Sequence, residues 1–154
     1  AAEIRGKGIG RIRLKRIADG SSDSLTTFVR EAVEKGGVIV SDGLQSYRSL
    51  PEHGYRHTRR IGEGRTKAST LLPRVHRVAS LLKRWLLGTH QGAVSREHLD
   101  SYLDEFACRF NRRTSQHRGK LFYRLVQQAV AVGPAPYEAI IKHVRGRQGS
   151  KHNR

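Results

Sequence analysis

The spacing of the apolar residues changes near residue 70, and that change limits what the chain can fold into. Before it, apolar residues come in short runs. Ile12 and Leu14 alternate with Arg11, Arg13 and Lys15, the pattern of a half-buried strand, and the preceding GKGIGR reads as a turn between strands. Leu25, Phe28, Val29, Ala32 and Val33 keep helical spacing after the turn-forming run Asp19 to Ser24. Val38-Ile39-Val40 is a continuous apolar run, as expected of a central strand covered on both faces. A short helix carrying Leu44, Tyr47 and Leu50 follows, then a strand in HGYRHTRRI and a basic loop in IGEGRTKAST.

After residue 70 the spacing is helical. Val75, Val78, Ala79, Leu82, Trp85 and Leu86 form one stripe, and Pro73 stands at the helix start, where a missing N–H costs nothing. His76, Ser80 and Lys83 form a polar strip beside it, because steps of four and three return to one face. A second stripe is Leu99, Tyr102, Leu103, Phe106 and Phe110, on a helix expected to begin at an Ser95 N-cap. RFNRRTSQHRGK reads as a basic connector and LFYRLVQQAVAV as a further helix. Pro134 and Pro136 set off a short helix and a basic tail, 134–154, expected to be disordered. The order predicts an α/β domain with a helical C-terminal half.

Charge narrows the function. Thirty Lys and Arg face thirteen Asp and Glu, for a net +17. Residues 64–96 and 106–137 contain no acid. Such an excess attracts polyanions, since bound cations release the counterions condensed on nucleic acid. Charge alone also fits a structural nucleic-acid binder. No run of about 18 apolar residues occurs, so no transmembrane helix is expected, and no helix pairs a basic face with an aromatic-rich insertion face. Cys108 is the lone cysteine, which leaves no disulfide framework or Cys-rich zinc site and suits a reducing, cytoplasmic setting. The chain has no Met, which suggests a piece of something longer.

Asp42, at the expected carboxyl end of a buried strand, stands where open α/β sheets place functional groups. Asp-Gly also makes a good turn, with the carboxylate capping the next helix. His76 lies 34 residues on and Lys83 seven later on the same helix face. Each alone reads as a solvated side chain. Together they suggest a DNA-cutting site, where ligands from neighbouring elements converge on metal ions and a cation holds the backbone. His53 and His57 are four apart, but Gly54 and the expected strand spoil a helical zinc pair. Asp104 and Glu105 diverge on a helix, and Asn111-Arg112-Arg113 reads as phosphate-facing or solvated.

SDGLQSY, HRVASLLKRWLLGTHQGAVSREHLDSYLDEFACRFNRR and LFYRLVQQAV resemble the transposase domain of bacterial insertion sequences of the ISXO-two-like group. The resemblance implies a ribonuclease-H-like mixed sheet with flanking helices and a DDE-type site that cuts and transfers DNA strands with Mg2+ or Mn2+. It places Asp42 at the second catalytic acid, His76 at the variable third position, both as metal ligands, and Lys83 at the basic residue contacting the element's end. Arg84, Arg112 and Arg113 join Lys83 as expected DNA contacts. The family's first catalytic Asp lies on a first strand upstream of the matching part, so residues 1–133 read as a partial catalytic domain that is inactive alone. The implied partners are the element's ends and target DNA, with no membrane, and a homo-oligomer in the working complex. The competing reading is a non-catalytic basic DNA-binding or dimerisation module.

Overall fold

The computed structural model describes residues 1–62, 68–92, 94–134 and 136. It opens with an antiparallel hairpin of β1 (Ala2–Arg5) and β2 (Gly8–Ile12), closed by a turn at Gly6-Lys7. Gly6 has φ +53°, in the left-handed region that glycine enters at little cost. Gly8 and Gly10 therefore belong to a strand rather than to the turn. Gly10 faces the Glu3 side chain, where a Cβ would collide, and the Glu3 carboxylate accepts from the Arg11 amide at 2.7 Å. The strand ends at Ile12, earlier than the alternation predicts, and half-buried Leu14 packs on the core from an irregular segment.

Helix α1 (Ser22–Ala32) starts where turn chemistry places it. The Ser21 hydroxyl accepts from the Ser24 amide at 3.3 Å, and Asp19 Oδ1 accepts from the Ser21 amide and the Ser24 hydroxyl. These bonds hold the Asp19 carboxyl below the usual carboxylate range. Strand β3 (Val38–Ser41) pairs in parallel with β4 (Arg56–Arg59), in the register Val38↔Arg56 to Ser41↔Arg59. Between them the expected short helix is two 3₁₀ turns, Gln45–Tyr47 and Leu50–His53. β3 is not a strand covered on both faces: Val38 is 57% exposed, so one face is open there, and among the described residues β3 has one partner strand and an open second edge. The described residues form a mixed α/β arrangement with two two-stranded sheets.

A short α2 (Ala68–Leu71) precedes α3 (Pro73–His90), and residues 63–67 of the basic loop lie outside the described residues. Helix α4 (Leu99–Asn111) starts at a His98 cap rather than at Ser95, whose hydroxyl instead accepts from the His98 amide at 3.3 Å. The basic connector is shorter than expected, since α4 takes its first residues and α5 (Arg118–Ala131) its last. The proposed last helix and tail fall, from residue 137 on, outside the described residues.

Residues 1–112 form one compact unit and 113–154 another. Two cores stabilise the first. Ile12, Val78, Phe106 and Phe110 join β2, α3 and α4, while Val29, Leu50 and Tyr55 join α1 to the β3–β4 region. The Asn111 side chain fastens the larger core. Its Oδ1 accepts from the Ile12 amide at 2.7 Å and its Nδ2 donates to the Ile12 carbonyl at 3.0 Å. Asn111 is thus a clamp and not a phosphate-facing or solvated residue. In the second unit, Phe122, Leu125 and Val130 of α5 are all exposed.

Asn111→Ala removes both bonds and strands the amide and carbonyl of a fully buried residue. The expected loss is about 2–3 kcal/mol, read as a lower urea midpoint at unchanged m-value. Asn111→Asp keeps the acceptor but sets a carboxylate oxygen against the Ile12 carbonyl, so at neutral pH it should cost at least as much.

Candidate functional site

The parallel pairing of β3 and β4 brings their carboxyl ends together, and Asp42 directly follows β3. Its Oδ1 accepts from the Leu44 amide at 3.2 Å, so the carboxylate does close the turn that Asp-Gly chemistry favours. It is exposed and has no ion-pair partner among the described residues. Beneath it, the buried Ser41 hydroxyl donates to the Asp42 carbonyl at 2.9 Å and lies 2.8 Å from His57 Nε2. Ser41 has one hydroxyl proton, so its donation to Asp42 leaves Nε2–H of His57 as the donor to Oγ. This bond ties the two strands side chain to side chain. The Tyr47 ring stands 6.2 Å from the His57 ring, and burial, with the Asp42 charge, pushes the Tyr47 hydroxyl up from its ordinary range. Burial and the nearby Arg59 charge push the His57 pKa down.

Helix α3 presents the other expected residues. Its core face is Val78, Leu81, Leu82 and Trp85, while Val75 and Ala79 are exposed. Arg74 explains this turning of the stripe: its Nε and Nη2 donate to the Gly8 and Gly6 carbonyls at 3.0 and 2.8 Å, fixing that side of the helix to the hairpin. His76 and Lys83 then fall about 160° and about 140° round from Val78, opposite the core rather than beside it. Both are exposed, as is Arg84. The shared face of His76 and Lys83 is therefore real. Asp42 is not joined to it: among the described residues no hydrogen bond or ion pair links Asp42 to His76, and the two belong to elements packed on different cores.

The remaining expected contacts differ in kind. Arg112 Nη1 donates to the Cys108 carbonyl at 3.3 Å and touches its sulfur at 2.7 Å, at the end of α4. Arg113 is exposed and begins the second unit. Among the described residues no three His, Cys, Asp or Glu side chains converge as a metal site. Asp19 caps α1 and Asp23 sits in its first turn, where a negative charge complements the helix dipole. The acids and imidazoles described here do not fit a complete divalent-metal centre. No helix among the described residues is long and apolar enough to cross a membrane.

A family model described as the ISXO2-like transposase domain matches residues 1–111. The chain belongs to that family. The match makes it a transposase domain of insertion-sequence type, a family that implies DNA as the partner and generally uses divalent metals. It ends at the clamp residue Asn111, one residue short of the boundary between the two compact units. No curated protein and no solved structure matches the chain.

Sequence reasoning considered His57 only as a zinc partner for His53, and gave no role to Ser41. Their contact depends on the parallel register, which leaves no local signal in the sequence. In this transposase domain the neutral form of His57 is favoured by folding, so its contribution to stability is fully present above the ordinary value of 6.5 and is lost as pH falls below it. Thermal melts at about pH 7.5 and about pH 5.5 should therefore lose less stability in His57→Gln than in the wild type.

Proposed function

We propose that this domain carries the second and third positions of a DDE-type site, on a ribonuclease-H-like scaffold, for cutting and transferring insertion-sequence DNA. The observation that supports this best is Asp42, an exposed carboxylate at the carboxyl end of a parallel strand inside the family-matched region. In this reading the open edge of β3 receives a further strand bearing the first acid. Asp42 is a ligand for Mg2+ or Mn2+, His76 is the third-position residue, and Lys83, Arg84, Arg112 and Arg113 contact phosphates. A His in place of a carboxylate removes one negative charge and shifts preference toward Mn2+. The ligand set described above is incomplete, so no chemical step is derived through the metal. What the chain's own residues supply is clearer. The outer face of α3 offers Lys83 and Arg84 without an acidic partner among the described residues, which suits the uniform negative charge of a DNA backbone. The working assembly is a homo-oligomer.

A second reading has its own observation. Lys83 and Arg84 stand exposed on a helix packed on a different core from the strand that carries Asp42, which suits a basic DNA-binding or dimerisation module without catalysis. The two readings separate in a nicking assay on a duplex containing an element end, with Mg2+ or Mn2+, using the parent transposase. Asp42→Ala should lower cleavage by more than about 100-fold, beyond what loss of an outer-sphere partner costs, while leaving duplex binding in place. Full cleavage by that variant sinks the assignment. Lys83→Ala with Arg84→Ala should weaken binding and flatten the slope of log K against log salt by about 1.8.

A further inference from the structure

Strand β4 reads Arg56-His57-Thr58-Arg59 and continues into Arg60, whose amide donates to the Ser41 carbonyl at 2.8 Å. Arg59 is the register partner of Ser41, so both arginines end the strand beside Asp42. The next residue, Ile61, lies 3.5 Å from where a Cβ on Gly43 would sit, which carries the end of β4 over the Asp42-Gly43 turn. Several other cations of this unit are occupied: Lys15 pairs with Glu31, Arg16 with Asp100 and Arg109 with Glu105, while Arg74 holds hairpin carbonyls. Arg59 and Arg60 are exposed and have no acidic partner among the described residues, although Asp42 is the nearest acid along the paired strand.

We infer that the carboxyl edge of β3 and β4, with Arg59 and Arg60 as its cations, is where the DNA backbone lies against Asp42. The inference rests on the reading of this chain as a transposase domain that acts at Asp42. A carboxylate repels a phosphodiester, so a site built on Asp42 needs cations beside it to seat the strand. Guanidinium forks match phosphate oxygens in pairs, and ligands of open parallel sheets lie outside the carboxyl ends of the strands. Arg59 and Arg60 therefore position the scissile region, while the cations of α3 hold a separate stretch of backbone. Charged residues also guard an open strand edge against aggregation, and β4 has such an edge among the described residues. That role asks only for charge, of either sign.

Binding of a fluorescein-labelled duplex, measured by anisotropy across a salt series in EDTA, tests the inference on the full chain. Arg59→Ala with Arg60→Ala should flatten the salt slope by about 1.8, and Arg16→Ala with Arg109→Ala, an equal change in net charge, should flatten it by less than half as much. Arg59→Glu with Arg60→Glu should keep the protein monodisperse yet abolish binding at about 100 mM salt. Asp42→Asn keeps the turn-closing oxygen and removes the repulsion, so it should tighten binding by about fivefold, and this gain should vanish without the two arginines. Equal slopes for the two alanine pairs, or a gain from Asp42→Asn that persists without Arg59 and Arg60, overturns the inference and leaves the transposase reading intact. A wild type that binds no duplex removes both.

Discussion

The larger core depends on one side chain acting as backbone. The Asn111 amide carries a donor and an acceptor at the spacing of a peptide group, and it meets the amide and carbonyl of Ile12 as a neighbouring strand would. Ile12 is fully buried, and Phe106 and Phe110 reach it from the same helix that ends in Asn111. The clamp thus fixes the end of β2 to the end of α4, and α3 closes the core through Val78. Hairpin and helices are held to one another by apolar packing made specific by two hydrogen bonds. Packing alone would tolerate sliding of the hairpin along α4; the paired polar groups do not.

The +17 charge is distributed with the same economy. Acids are few, and three of those on α1 and α4, Glu31, Asp100 and Glu105, each pair with an exposed cation. Surface ion pairs of this kind add little stability. Among the described residues, Lys83 and Arg84 on the outer face of α3 and Arg59 and Arg60 at the end of β4 have no acidic partner. A chain so charged repels itself, and a polyanionic partner relieves that repulsion.

Much of this was legible in the sequence. The three long helices, the run Val38 to Val40 and the cap of α1 follow from local spacing and local chemistry, and the family resemblance rested on blocks within them. What sequence could not supply was register. The Ser41–His57 bond, the juxtaposition of Arg59 with Ser41 and the Asn111 clamp each join residues that are distant or out of pattern, and nothing local encodes their pairing. The rotation of α3 had the same origin. Val75 and Ala79 extend a good apolar stripe on paper, but Arg74 bonds to the hairpin and selects a stripe turned toward Leu81. That Asp42 and His76 belong to elements of different cores was equally invisible, since each sits on a locally well-formed element.

The bonds of Arg74 have a mechanical meaning as well. They make the Gly6-Lys7 turn and the first turn of α3 one rigid piece, and His76 rides on that piece two residues away. Asp42 rides on the β3–β4 pair instead, through Ser41 and His57. The separation between acid and imidazole is therefore a coordinate of one core relative to the other.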